Sequence, residues 1–275
     1  MRSMKKTLIL LLFIFAFFIP VYSQEYSWIF LRSYAQSNVV AWDINPLEEL
    51  IISSQSSLYK LDTNFQVTFT QSKKEFGEIT KIDARHSLKT LLFSENQQML
   101  VFVDNTLSFQ EGKIDLAELN IAYATNICYS DQTGRFWVYD EQNSRLVRFE
   151  GIQSSVKSSE ITNLRGITLQ NFPTSIVENN NQLFLFYKGT GAFVFDYYGS
   201  LLRKFNSSSA LQIYPMEKYL YLLQPKELVR VDRITGAEET IQLPYQGIED
   251  FRVFGNTVYF KDKNGVKKYS LIQAQ

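Results

Sequence analysis

Apolar residues along this chain recur in short runs of about four to seven residues with a period of two, and Gly, Asn, Asp and Ser break the runs. Such alternation puts successive side chains on opposite faces of a strand. The abundance of Tyr and Phe within the runs favours strand over helix. Residues 135–151, RFWVYDEQNSRLVRFEG, form a predicted hairpin: Phe136-Trp137-Val138-Tyr139 and Leu146-Val147-Arg148-Phe149 flank the polar turn Asp140-Glu141-Gln142-Asn143-Ser144.

That hairpin is one copy of a repeat. Units reading strand, turn, strand, turn, strand run over 39–69, 79–109, 126–156, 174–205 and 211–243, and a sixth, 251–271, lacks its last strand. The register is clearest in LYKLD, LVFVD, LVRFE, AFVFD, LVRVD and VKKYS, which begin at Leu58, Leu100, Leu146, Ala192, Leu228 and Val266, at intervals of 42, 46, 46, 36 and 38 residues. A period near 40 with about four strands per unit predicts a β-propeller. One four-stranded blade cannot bury both of its faces, whereas stacking blades around an axis covers each with the next. The apolar segment YSWIFLRSY, residues 26–34, is the natural fourth strand of the last unit. The expected fold is therefore all-β: six four-stranded antiparallel blades, with the ring closed by the N-terminal strand so that no open edge remains. Asp62, Asp104, Glu150, Asp196 and Asp232, at the ends of third strands, are expected to cap the turns that follow. Two segments are irregular: 111–124, where a short helix is expected, and similarly 158–170.

The third unit, ICYSDQTGRFWVYDEQNSRLVRFEG, has an inner strand, an acidic turn with Gly, an aromatic strand ending in Asp, an Asn-containing turn and an Arg-bearing strand. In this it resembles six-bladed propellers of the NHL and TolB-like group. Most other units lack the turn Gly and the Asn-x-Arg element, so the resemblance implies architecture, which enzymes, receptors and scaffolds share.

The first 23 residues stand apart from the repeat. Arg2, Lys5 and Lys6 precede the uncharged run TLILLLFIFAFFIPVY, and Val21-Tyr22-Ser23 ends it with a small residue. This is the pattern of a secretory signal cleaved after Ser23, leaving 24–275 as a single propeller domain. The run of 16 residues from Thr7 to Tyr22 falls short of the roughly 20 needed to span a bilayer. The signal resembles those of Gram-negative envelope proteins, which implies the periplasm or the outer-membrane periphery. Without the signal's three basic residues, 25 basic side chains face 28 acidic ones, a formal charge of −3 that argues against nucleic acid as a partner.

Candidate chemistry is sparse. A lone cysteine, Cys128, cannot form an internal disulfide and is expected to be a small buried hydrophobe. The only histidine, His86, falls in a turn that is expected to face solvent. One Cys and one His cannot close a zinc site, and no G-x-S-x-G, H-E-x-x-H or phosphate loop occurs. No cofactor is therefore expected. Calcium needs only oxygens, and Asp43, Asp83, Asn126 and Glu178 lie on or near first strands, where some propeller hydrolases and lactonases hold a channel metal. This is the weaker alternative, because no D-x-D-x-D-G loop is present. A small-ligand sensor is the third.

The leading reading is recognition of another envelope or secreted protein by loops held on rigid blades. The loops of one face contribute Lys74 and Phe76, Asp140, Tyr187 and Lys188, and Tyr245, aromatic anchors beside charges as in protein interfaces. Tyr197-Tyr198 is a second candidate patch on the opposite face.

Overall fold

A computed structural model describes residues 26–55, 57–72, 76–86, 88–151 and 156–273. The signal segment and Lys74 lie outside these residues. Strand β1 (Tyr26–Ala35) precedes the first blade, made of β2 (Ala41–Ile44), β3 (Leu50–Ser53), β4 (Ser57–Leu61) and β5 (Val67–Ser72). The second blade is β6 (Lys81–His86), β7 (Lys89–Ser94), β8 (Met99–Asp104) and β9 (Phe109–Asp115), and the third is β10 (Ala124–Tyr129), β11 (Arg135–Asp140), β12 (Arg145–Glu150) and β13 (Val156–Ile161). A short helix, α1 (Leu164–Thr168), leads to the fourth blade, β14 (Ser175–Asn179), β15 (Gln182–Tyr187), β16 (Gly191–Phe195) and β17 (Leu201–Asn206). The fifth is β18 (Gln212–Pro215), β19 (Tyr219–Leu223), β20 (Glu227–Asp232) and β21 (Glu238–Gln242), and the sixth joins β22 (Asp250–Phe254), β23 (Thr257–Asp262) and β24 (Gly265–Gln273) to β1. The chain is a six-bladed β-propeller.

Closure follows from β1, which lies antiparallel to β24 from Tyr26↔Gln273 to Ala35↔Gly265. Its side chains also reach blade five: the Trp28 indole donates to the Gln242 carbonyl at 2.6 Å and the Tyr26 hydroxyl to Glu239 at 2.7 Å. The apolar core is divided into six clusters among the described residues, one in each cleft between neighbouring blades. Alternation accounts for this, since each strand gives one set of side chains to the blade before and the other to the blade after.

Turn chemistry is as the sequence suggests at four of five sites. Asp62, Asp104, Asp196 and Asp232 each accept two backbone N–H bonds of 2.8–3.0 Å from the turn that follows. Glu150 departs from the pattern and pairs with Arg135 across the hairpin at 3.0 Å. The helix also lies elsewhere than expected. Residues 109–115 extend as β9, and the following turn is pinned by Ala117 N–H on Asp115 and by burial of Leu116 and Ile121, while the helix forms in the second irregular segment.

Candidate functional site

The inner strands β2, β6, β10, β14, β18 and β22 surround a central channel, and their alternating residues divide its wall into two sets. One set, with Trp42, Ile82, Ile127, Ile176, Ile213 and Phe251, turns back into the cleft with the preceding blade. The other leans over the channel toward the next blade and stacks in rungs. Ala41, Lys81, Asn126, Ser175, Gln212 and Asp250 form the rung nearest the mouth at which the inner strands begin; Asp43, Asp83, Cys128, Val177, Tyr214 and Arg252 form the next. A cavity of about 410 Å³ occupies these two rungs.

The second rung stitches blades together. Asp43 accepts the Ala84 amide of the next blade at 2.8 Å, Asp83 the Tyr129 amide at 2.8 Å, and the Cys128 thiol the Glu178 amide. Arg252 closes the circle by donating to Asp43 at 2.8 Å and to Asp250 at 2.9 Å with its guanidinium over the Trp42 ring. Arg85 binds Asp83 at 2.7 Å and also donates to the Tyr129 and Glu178 carbonyls. Burial raises the Asp43 carboxyl above the usual range despite Arg252, whereas at Asp83 the charge and hydrogen bonds of Arg85 outweigh burial and lower it. Burial likewise raises the Tyr214 phenol to about 12 and drives the Cys128 thiol well above its ordinary value.

Lys81 differs from these. Its ammonium crosses the channel to the Thr174 carbonyl at 3.2 Å, and among the described residues no carboxylate lies within ion-pair distance of it. Burial lowers its pKa, with Asp250 and Glu95 opposing from further away.

These residues do not fit calcium, which takes six to eight oxygens. Asp43 and Asp83 are already occupied by arginines and amides, and the Asn126 side-chain amide is turned to donate to the Pro173 carbonyl at 2.9 Å. Glu178 faces away from the channel. It is fully buried in the cleft with blade three, where Trp137 and Tyr197 donate to it at 2.5 Å and Ser130 at 3.0 Å. Among the described residues no group of three His, Cys, Asp or Glu converges to hold an ion. His86, expected in a solvent-facing turn, ends β6 half-buried and edge-on to Tyr129 at 4.4 Å, because a bulge carries the strand on to it.

The loop residues expected to form a binding face separate into two groups. Lys188 is exposed. Phe76 is buried in the cleft between blades one and two, against Phe109 at 4.1 Å and beneath Lys113. Tyr187 is the last residue of β15 and is buried against Phe193. Tyr245 is half-buried, with the Lys267 ammonium 3.9 Å from its ring centre. Asp140 is fully buried, where hydrogen bonds from Asn143 and Arg145 overcome burial and hold its carboxyl low. Phe76 and Tyr187 are thus core and Tyr245 partly so, because the apolar clefts between blades draw in aromatic side chains at their rims.

A different segment presents apolar surface on that face. In the loop 162–174, Leu164 and Thr168 of α1 are buried, while Ile167, Leu169 and Phe172 are exposed, Leu169 at 82% and Phe172 at 52%. The loop is tied on both sides. Leu164 and Arg165 amides donate to Ser144 at 3.0 and 2.7 Å in the turn of blade three, and Thr190 in the turn of blade four donates to Gln170 at 2.9 Å. Leu169 has left-handed backbone, φ 58°, and its amide closes the helix on the Arg165 carbonyl. The sequence signal was an apolar trio in a Gly- and Pro-containing segment outside the strand alternation. Tyr198 on the opposite face is 93% exposed, but its neighbour Tyr197 is committed to Glu178.

Searches against protein-family models and curated proteins give no match. Solved structures share the fold. A catalytically inactive variant of virginiamycin B lyase from Staphylococcus aureus, crystallised with quinupristin, has a TM-score of 0.63 at 10% identity over 90% of this chain and 100% of that one. A structural genomics protein of unknown function from Bacteroides thetaiotaomicron has a TM-score of 0.65 at 8% identity over 91% and 74%. The Pan2 WD40 domain of Neurospora crassa has a TM-score of 0.59 at 8% identity over 90% and 83%. At such identities the likeness is one of fold.

Proposed function

We propose that this chain is an exported propeller that recognises an envelope or secreted protein through the face carrying the loop 162–174. The observation that carries the reading is that loop: three large apolar side chains held in water on a backbone fixed to two blades. Exposed apolar clusters on otherwise polar surfaces mark interaction sites. Arg165 and Lys188 flank the cluster, both exposed, so the partner is expected to offer an apolar groove with an acidic rim. Export rests on the signal pattern of residues 1–23, and periplasmic or outer-membrane residence on its resemblance to Gram-negative signals. The metal-dependent hydrolase reading gains no support from the channel, whose second-rung carboxylates are occupied.

Cross-linking of the tagged mature chain in its native envelope, read by mass spectrometry, tests the proposal. A stoichiometric partner is expected, lost in Leu169→Asp and Phe172→Asp but retained in Tyr198→Asp. A partner indifferent to the two loop substitutions would sink it.

A further inference from the structure

The first rung of the channel contains polar groups that the fold does not use. Gln212 has a fixed orientation: its Oε1 accepts the Ser175 hydroxyl at 2.9 Å and the Ile213 amide at 3.0 Å. Its NH₂ group is therefore aimed away from them, with no partner among the described residues. Asn126 is fixed the opposite way, donating to the Pro173 carbonyl and leaving Oδ1 without a donor among the described residues. Lys81 uses one N–H on Thr174, the residue preceding Ser175, which brings its ammonium to the Ser175–Gln212 side of the cavity. A cation, an amide NH₂ and an amide oxygen thus line the same open-mouthed cavity.

We infer that the first rung binds a small hydroxylated monocarboxylate, with Lys81 and Gln212 donating to the carboxylate and Asn126 accepting from a ligand hydroxyl. Lys81 can match one negative charge on a ligand, which favours a monoanion over a dianion. Asp250 on the same rung shares Arg252 with Asp43, and Glu249 at the mouth is paired with Lys261 at 2.6 Å, while Lys81 is the one cation of the rung with no carboxylate within ion-pair distance among the described residues. A dianion such as phosphate would set a second negative charge facing Asp250. A cavity of about 410 Å³ lies at the small end of the range for small-molecule sites, roughly 300–1,000 Å³. Val40 adds an apolar element to its lining. The site adjoins the loop 162–174 through the Pro173 and Thr174 carbonyls, but its ligand-binding groups are Lys81, Gln212 and Asn126 rather than the exposed Leu169 and Phe172, so either assignment can fail without the other.

Isothermal titration of the mature chain with D-glucuronate, acetate, D-glucose and inorganic phosphate tests the assignment. Saturable glucuronate binding is expected, with glucose and phosphate weaker by about tenfold or more, a margin of about 1.4 kcal/mol. Lys81→Met and Gln212→Leu should each weaken glucuronate by a similar factor while circular dichroism and melting remain those of the parent. Lys81→Arg, which keeps the charge, should recover part of the binding and serves if Lys81→Met fails to fold. Absence of saturable binding by both carboxylates at millimolar concentration would overturn the site. Binding unaffected by Lys81→Met would do the same, and phosphate binding as tightly as glucuronate would overturn the monocarboxylate assignment.

Discussion

Asp43 and Asp83 occupy the same rung of adjacent blades, each takes an amide from the next blade, and yet they are held in opposite directions. Arg85 binds Asp83 at 2.7 Å, with Asp131 only at 4.0 Å, whereas Asp43 shares Arg252 with Asp250 at nearly equal distances. Asp83, lowered in the folded state, contributes stability that is present above the unfolded carboxylate value of about 3.9 and lost as pH falls through its folded value. Asp43, raised in the folded state, imposes a cost on ionisation that is absent below that unfolded value and complete above its folded one. Asp83→Asn should therefore lower the urea midpoint more at neutral pH than in acid, and Asp43→Asn more in acid than at neutral pH. Arg252→Met leaves buried Asp43 and half-buried Asp250 without their cation and should cost about 3–5 kcal/mol in equilibrium unfolding, as the loss of one partner of a buried pair does.

At the scale of strands, the fourth-strand backbone in blades four and six crosses close over the first residue of the third strand. Gly191 at the start of β16 and Gly265 at the start of β24 hold positive φ, and an added Cβ would lie 2.0 Å from the Phe205 carbonyl oxygen and 2.1 Å from that of Tyr34. A side chain there meets both an unfavourable backbone conformation, worth about 1–3 kcal/mol, and a steric clash. Gly265→Ala should lower the melting temperature and speed hydrogen exchange in Tyr26–Ala35 before the inner strands, since the lost pairing is local to β1. Uniform acceleration across all blades would contradict that account. The strands themselves were legible from alternation and from the aspartates closing the third strands. The helix was not, because nothing within 158–170 reveals that Ser144 of a distant turn will receive its first two amides.

On the scale of the molecule, six clefts of similar make-up close on themselves, and the last depends on a strand from the other end of the sequence. Deleting residues 26–35 would bare the edge of β24 and remove the Trp28 ring from Phe260 and Tyr269. Such a chain should lose its single cooperative unfolding transition and self-associate on size exclusion, as unpaired apolar edges do. Retention of the parent melting curve would mean that the five continuous blades are stable without closure. The loop substitutions Leu169→Asp and Phe172→Asp belong to the other extreme. They lie on exposed side chains and should change stability by about 0.5 kcal/mol or less while abolishing partner binding.

The sequence alone determined the propeller, its blade number and its N-terminal closure. Each depends on local alternation, turn residues and a repeat length, all of which are properties of contiguous residues. Only the tertiary structure decided which polar and aromatic residues were free to act. Phe76 and Tyr187 read as loop anchors, but the clefts between blades are apolar and draw in any aromatic side chain at their rims. Asp43, Asp83 and Glu178 read as candidate ligands, yet a buried carboxylate must find donors, and these found theirs on blades about 40 or more residues away. Lys81 and Gln212 were inconspicuous because what distinguishes them is their unused hydrogen-bonding capacity at the channel, and that capacity is defined only once every neighbour is in place.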